Sequence, residues 1–433
     1  MGRTIVKVPQ MPWYGDTELE IDFPDLWDVE VAYMHGHNAP PLNDEGIRKA
    51  FANPIGSRTI GELAKGKKEV VIVFDDMTRP TPSAVVIPYI LEELALAGIP
   101  DENIRFISAP GTHGKMNGIE LRKKLGEEVM GRFMVYNHNP YENCTPIGFT
   151  SRGTPVQINS EFMSCDLKIA IGALVPHPLV GFGGGAKIIV PGITSMETIL
   201  ANHVRNGLFS PSTPIGIIEG NAMTLDNNEA ARMVGLDVKI DAIINLKREI
   251  TALFVGEVVA EYEEGVKLAK EHYATDMIED CDICVANCWA KGNEMGLALR
   301  RADPVLAPGK AGEMVLLVTT PEGQINHYLC KRFGKKLGGR AWIPRTTLPP
   351  NTKRLTIMQS YADRAGIEWI APIDAVEVMK TWSEVIQVME KRYPSKVKVA
   401  VIPDGTIQYF PSASASGQSL RSEDRSADLT KVK

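Results

Sequence analysis

Cysteine is scarce in this chain. Six residues (Cys144, Cys165, Cys281, Cys284, Cys288 and Cys330) are spread over 433 positions, too few and too scattered for a disulfide scaffold. Aromatics make up only 7%, and neither sign of charge dominates: 47 Lys and Arg stand against 53 Asp and Glu, a formal net charge of −6. That balance argues against a nucleic-acid or anionic-membrane surface. The N-terminus, MGRTIVKVPQMPWYGDTELEI, has no apolar core of signal-peptide length and meets acidic residues early. It also fails the myristoylation pattern, because Val6 stands where Ser or Thr is needed. Together these absences point to a reducing cytoplasm. Long apolar runs are lacking too, with one exception. From Ile169 to Ala186 (IAIGALVPHPLVGFGGGA) the one ionisable residue is His177. The length reaches the lower end of a membrane span, but Pro176, Pro178, Gly181 and Gly183 to Gly185 would break a helix twice. The stretch reads as a buried strand entering a Pro- and Gly-rich loop, as a cofactor pocket would require.

What is present suits a globular enzyme. Hydrophobic residues are 44% and charged residues 23%, and the length suggests two domains. Strand and helix signals alternate. Continuous apolar runs predict strands over 69–74, 103–109, 133–136 and 167–175, with a short one over 188–190. Helices are predicted over 83–97, with Ser83 as cap, and 118–130. Thr194 and Glu197 form a capping box for a helix carrying His203. A pair of strands over 241–255 and a helix over 258–273 follow. The alternation then restarts, with strands near 283–287, 314–319, 354–359 and 397–402 and a clear helix over 375–393. The expected architecture is two α/β domains with mainly parallel sheets and an active-site cleft between them. Their bounds are 1–275 and 276–410, with a polar tail over 411–433 that reads as disordered or as an expression remnant.

Ligands of open α/β sheets bind beyond the carboxyl ends of strands. Three predicted strands end in unusual polar loops: DDMTRPTP (75–82), PGTHG (110–114) and PHPLVGFGGGAK (176–187). Asp76 and Arg79 could be a local ion pair; Arg79 with Thr78 and Thr81 could equally hold a phosphate or carboxylate. His113 is a capping histidine or a proton shuttle. His177, stiffened by two prolines, is a buried packing group or a rigidly placed base. Lys187 is not a phosphate-cradle lysine, since Ile188 replaces the hydroxyl that the motif needs. A lysine beside an apolar loop could be a covalent anchor. His203 could ligate a metal. The cluster CDICVANC has an iron–sulfur-like spacing, but its strand character would turn Cys281 and Cys284 to opposite faces, so buried structural thiols are the simpler reading.

Taken together, Asp76-Met77-Thr78-Arg79, then Gly111-Thr112-His113, then PHP…GGGAK, then Asn202-His203-Val204-Arg205 resemble the nickel-dependent lactate racemase family. Order and spacing agree, with ten residues from His177 to Lys187 and sixteen from Lys187 to His203. The resemblance implies a nickel-pincer nucleotide, the Ni(II) complex of pyridinium-3,5-bisthiocarboxylate mononucleotide, covalently held by Lys187. His203 would be the protein ligand to nickel. Asp76 to Arg79 would lie along cofactor and substrate, and His113 and His177 would be the acid/base pair. It further implies racemisation or epimerisation of a 2-hydroxy acid by hydride transfer through a 2-oxo acid, and partner proteins that make the cofactor. No nucleic acid or membrane is expected as a partner.

One stretch departs from the pattern. Family members acting on lactate carry a Gln and a Lys early in the second domain, where this chain aligns Gly296 and Leu299. Trp289, Lys291, Asn293 and Arg300 are the expected substrate contacts there, with Glu294 and Arg301 nearby. The substrate is therefore expected to be a larger or more polar 2-hydroxy acid than lactate. Two alternatives stand beside this reading: a zinc hydrolase using His113, His177 and His203, and a noncatalytic cofactor-binding homologue.

Overall fold

The computed structural model describes residues 2–203, 206, 215–309, 312–325 and 347–412. Arg205, Cys330 and the tail beyond 412, all discussed above, lie outside them. The chain divides into two compact units. One is built from residues 38–271. The other combines residues 2–37 with 272–325 and 347–412.

The first unit is centred on a six-stranded sheet. Its order is Ile250–Gly256, Val238–Ile244, Leu167–Ala173, Val70–Asp75, Ile104–Ala109 and Met134–Asn137. All ladders are parallel except that of the Ile250–Gly256 edge strand. Val70–Asp75 is buried at every position, which explains why its sequence is a continuous apolar run rather than an alternation. Val71, Val73, Ile107 and Ala170 join Ile188, Ile189, Ala230 and Val258 in one core on one face of the sheet. Ile169–Ala186 is a strand end followed by a turn, as expected. No helix among the described residues is long and apolar enough to cross a membrane.

The second unit holds another six-stranded sheet, entirely parallel. Its order is Val376–Met379, Arg354–Gln359, Glu313–Val318, Ile283–Cys288, Lys398–Ile402 and Asp28–Val31. The N-terminal residues, expected in the leading domain, belong here because Asp28–Val31 pairs with Lys398–Ile402. They also form an antiparallel hairpin, Arg3–Gln10 with Thr17–Pro24, that packs Val6, Val8, Ile21 and Phe23 into this unit's core.

Several elements differ from expectation. The helix expected over 118–130 is two, Gly118–Leu125 and Glu127–Arg132, because Gly126 has φ +88° and breaks it. Residues 188–190 are not a strand; Gly185–Ile188 is a 3₁₀ turn. The helix expected over 375–393 begins only at Trp382, capped by Thr381 with Glu384, and Val376–Met379 before it is a strand. The caps of two helices shift by one residue, to Pro82 and Ser195. Cys281, Cys284 and Cys288 share one buried core, because Cys281 precedes the strand and so escapes its alternation. Burial pushes the thiols of Cys284 and Cys288 well up, as suits inert packing groups.

His138 belongs to the framework of the first unit. It is fully buried, with Nε2 3.0 Å from the Thr194 carbonyl and Nδ1 3.0 Å from the Asn159 amide nitrogen. Burial lowers its pKa from 6.5 to about 4. The unfolded chain therefore binds this proton first as pH falls. Stability should be full above pH 6.5 and decline by about 3 kcal/mol towards pH 4. Urea midpoints measured across that window should flatten in His138→Gln relative to the parent.

Candidate active site

In the first sheet, the chain moves from Val70–Asp75 outward to Ile104–Ala109 and Met134–Asn137, then returns to the opposite side with Leu167–Ala173. The order thus reverses between Val70–Asp75 and Leu167–Ala173, and crevices form beyond the carboxyl ends of strands at such a point. The three polar loops leave from there and from the neighbouring Ile104–Ala109 strand. The hydrogen bond from Gly111 N–H to the Gly192 carbonyl, 3.0 Å, ties the second loop to the turn after Lys187.

The first loop folds around a carboxylate. Asp76 Oδ1 accepts from Thr78 N–H at 2.9 Å and from the Thr78 hydroxyl at 2.6 Å. Arg79 Nη1 donates to Thr78 Oγ1 at 2.7 Å and to the Thr78 carbonyl at 3.0 Å. Asp76 Oδ2 lies 2.6 Å from His113 Nδ1, and Thr78 Oγ1 is 3.4 Å from the same nitrogen. Met77 is buried in the turn. Arg79, Thr78, Asp76 and His113 thus form one connected chain. Burial alone would raise the Asp76 carboxyl, but the facing His113, and after it Arg79, hold it well below the usual carboxylate range. A carboxylate only accepts, so His113 Nδ1 carries a proton, and in the neutral tautomer the lone pair lies at Nε2.

Lys124 underlies this loop. Its side chain has no solvent exposure, and Nζ reaches Asp75 Oδ1 at 2.5 Å, the Arg79 carbonyl at 2.8 Å and the Asp76 carbonyl at 3.1 Å. Asp75 also accepts from the Thr81 hydroxyl. Burial pushes the Asp75 carboxyl up and the Lys124 ammonium down, each opposed by the other's charge. Sequence reasoning missed Lys124, which reads as one of three basic residues on an amphipathic helix.

The third loop carries His177 and Lys187. Pro176–His177 pairs with Gly181–Phe182 in a small hairpin. His177 is buried, and Nδ1 accepts from Leu179 N–H at 3.1 Å. A backbone N–H only donates, so the proton of neutral His177 sits on Nε2. The two histidines are therefore held in opposite tautomers. Gly181 has φ +75°, and a Cβ there would lie 2.2 Å from the Ile217 carbonyl oxygen. Beyond it, Gly185 N–H donates to Asp241 Oδ2 at 2.5 Å. In the following turn Gly185, Ala186 and Ile188 are buried while Lys187 is only half-buried.

His203 ends the helix Met196–Asn202. Its Nδ1 lies 3.0 Å from the Ile199 carbonyl, so Nδ1 carries the proton and Nε2 has ligand character. Asn202 beside it donates to Asp226 at 2.6 Å and to Asn227 at 3.0 Å. Asp226 also accepts from Thr150 and Thr154. Among the described residues, no three His, Cys, Asp or Glu side chains converge as a metal-ligand set. The zinc-hydrolase alternative needs His113, His177 and His203 on one ion and loses its basis.

Residues 14–215 match the lactate racemase N-terminal domain family. Through this region, a little under half of the chain, it is similar to lactate racemases. It is 30% identical over 278 residues to the lactate racemase of Thermoanaerobacterium thermosaccharolyticum, covering 63% of this chain and 65% of that protein. It is 34% identical over 244 residues to the lactate racemase of Lactiplantibacillus plantarum, covering 56% and 57%. Both matches span less than two thirds of those relatives' lengths. The lactate racemase apoprotein from T. thermosaccharolyticum shares the fold at TM-score 0.68 and 22% identity, covering 94% of this chain and 100% of that one. A Thermotoga maritima protein of known crystal structure does so at TM-score 0.62 and 20% identity, covering 85% and 98%.

The segment after the family match also has a polar cluster, within the second unit. Trp289 and Lys291 follow the carboxyl end of Ile283–Cys288, at that sheet's own order reversal beside Lys398–Ile402. Both are buried, and Lys291 Nζ meets Glu294 at 2.5 Å. Trp289 Nε1 and Asn293 Oδ1 are buried without hydrogen-bond partners. Arg300 is exposed on its helix, whereas Arg301 donates to the Thr406 carbonyl at 2.5 Å. Leu299 is core-packed, and a Cβ at Gly296 would come within 2.9 Å of Ile370. Gly296 and Leu299, the two positions that depart from the resemblance, are thus taken up by packing.

Lys124→Met leaves Asp75 buried and unpaired. It should destabilise the chain by about 3–5 kcal/mol, read as a lowered denaturant midpoint with an unchanged slope.

Proposed function

We propose that this protein is an isomerase that racemises or epimerises a 2-hydroxy acid with a nickel-pincer nucleotide held at Lys187. The observation that carries the reading is the Asp76–His113 pair at the sheet's order reversal, on a loop beside the strand that leads to Lys187. The residues fit the cofactor. Lys187 is the half-buried position of an otherwise buried turn. Positive φ at Gly184 and Gly185 keeps side chains out of that turn. His203 has Nδ1 engaged by a carbonyl, which suits metal ligation through Nε2. Asp76, Met77, Thr78 and Arg79 would line the cofactor.

When bound, the nucleotide supplies an acceptor for the substrate α-hydrogen and its electron pair. Removing that hydrogen as a proton would place a second negative charge beside the substrate carboxylate; loss as hydride avoids the dianion. The hydroxyl proton must leave as the 2-oxo acid forms, and His113 Nε2 takes it. Asp76 then faces the resulting imidazolium at 2.6 Å, the arrangement that stabilises a charged base. His177, with its proton on Nε2, donates a hydrogen bond to the substrate oxygen from a rigid hairpin. As hydride returns to the opposite face of the 2-oxo acid, His113 Nε2 gives its proton back to the oxygen. Arg79 offers a forked donor to the substrate carboxylate. Trp289, Lys291 and Asn293 are the substrate contacts we assign to the second unit, with Arg300 at its surface. Their polarity favours a larger or more polar hydroxy acid than lactate. Proteins that make the cofactor are the implied partners.

Intact-mass and nickel measurements after co-expression with the cofactor-synthesis proteins test the assignment. The chain should gain the cofactor's mass, and Lys187→Ala should lose both the gain and racemisation while folding normally. An unmodified parent chain would overturn the proposal. Asp76→Asn should retain the cofactor yet lower kcat by about 10²–10⁴-fold. In chiral assays, larger hydroxy acids should outpace lactate; fast turnover of lactate alone would reverse the substrate assignment.

A further inference from the structure

Beneath the Lys187 turn lies a group of buried charges that the reaction does not use. Lys239 and Asp241 sit two apart on Val238–Ile244 and so share one face. Neither side chain has any solvent exposure, and Lys239 Nζ lies 2.5 Å from Asp241 Oδ1 and 2.8 Å from the Ile240 carbonyl. The other carboxylate oxygen, Asp241 Oδ2, accepts the Gly185 N–H at 2.5 Å. This bond ends two residues before Lys187. A Cβ at Gly184 would lie 2.8 Å from the same oxygen, so the loop backbone rests directly on the carboxylate.

The start of the helix Ala260–His272 closes the arrangement. Glu261 is fully buried, with its carboxyl group against that of Asp241. The Tyr262 hydroxyl donates to the Phe182 carbonyl at 2.7 Å, and its ring stands where a Gly185 side chain would project, 2.6 Å from the Cβ position. On the far side is Gly172, level with Asp241 in the parallel ladder. A Cβ there would meet Asp241 Oδ1 at 3.0 Å, Lys239 Nζ at 3.1 Å and Asp75 Oδ2 at 3.7 Å. The bare glycine lets the pair under the Lys187 turn face the Asp75–Lys124 pair under the Arg79 loop.

We propose that Asp241, Lys239 and Glu261 are positioning residues that hold the turn carrying Lys187 in the conformation needed for cofactor attachment. Asp241 fixes the turn through the Gly185 amide, Lys239 pairs with Asp241 and orients it, and Glu261 as a neutral acid donates to the Asp241 carboxylate. Burial pushes the Glu261 carboxyl well up, and the neighbouring Asp241 adds to this. The groups facing Glu261 are Asp241 and Lys239 from the strand, Glu257 before its own helix and the neighbouring Tyr262 hydroxyl. With Glu261 protonated, the cluster holds one positive and one negative charge. Ionisation of Glu261 would add a second anion against Asp241 and weaken its grip on Gly185.

The consequence for attachment rests on the reading of Lys187 as the anchor; the effect on the turn does not. Hydrogen exchange of the Gly185–Ile188 amides in the full apo chain therefore tests it separately from cofactor loading. Asp241→Asn should speed exchange at Gly185 by about tenfold or more, the loss of one charge-assisted bond, and reduce the loaded fraction by intact mass. If that variant does not fold, Lys239→Met with Asp241→Asn removes both buried charges and carries the same expectation. Glu261→Gln should match the parent at neutral pH. Corrected for intrinsic rates, protection at Gly185 should fall in the parent as pH rises into the alkaline range and stay flat in Glu261→Gln. Unchanged exchange in the Asp241 variants, or fast exchange in Glu261→Gln at neutral pH, would overturn the proposal. Fast exchange in the Asp241 variants together with no loading of the parent would leave the positioning role intact and remove the anchor reading.

Discussion

A single buried ammonium holds the candidate site together. Lys124 reaches one carboxylate and two main-chain carbonyls from a position with no access to water. An unpaired charge there would be too costly to keep, so Asp75 and the carbonyls of Asp76 and Arg79 must stay where they are. That constraint sets the turn. The turn then sets Thr78, Thr78 bridges Arg79 to Asp76, and Asp76 meets His113. Each link is short and each depends on the one before. His113 is thus placed by a lysine on the helix Gly118–Leu125, through the turn that carries Asp76, Thr78 and Arg79.

Much of this was legible in the sequence. The strands that place the loops are continuous β-branched runs, because a strand covered on both faces has no polar side to alternate. The loops stood out because polar and glycine-rich segments interrupt those runs. His113, His177, Lys187 and His203 all fall where strand ends and the following helix put them. What was not legible depends on distant partners. Nothing local distinguishes Lys124 from Lys123, since burial is decided by which face of the helix meets the loop. Asp28–Val31 could not be assigned to its sheet without knowing that Lys398–Ile402 lies beside it. The strand Val376–Met379 was absorbed into a helix because it is brief and runs straight into a capping box. Lys239 and Asp241 did leave a trace, two charges at strand spacing inside an apolar run, the mark of a buried ion pair.

Each unit uses the same physical solution at its own order reversal. In the first, Asp76 organises a turn by accepting from the residue two positions on. In the second, Asp404 does the same, accepting from Thr406 N–H at 2.9 Å and its hydroxyl at 2.5 Å, while its other oxygen takes the Ala290 N–H at 2.8 Å. A buried aspartate that satisfies neighbouring amides can be enclosed at low energetic cost. It leaves the remaining side chains at the strand ends available for chemistry or recognition.

The tight glycines of the Lys187 turn carry a consequence for how such a protein changes over time. Gly181, Gly184 and Gly185 each have a backbone angle or a neighbour that bars a side chain. The Asp241 carboxylate and the Tyr262 ring occupy the space behind them. Almost no single substitution there is neutral, so this turn has little freedom to drift. Around Gly296 and Leu299 the limits are looser, being those of ordinary packing against Ile370 and its neighbours. Changes at these two positions would thus be absorbed by repacking within the second unit, whereas the Lys187 turn would be inherited as a fixed cassette.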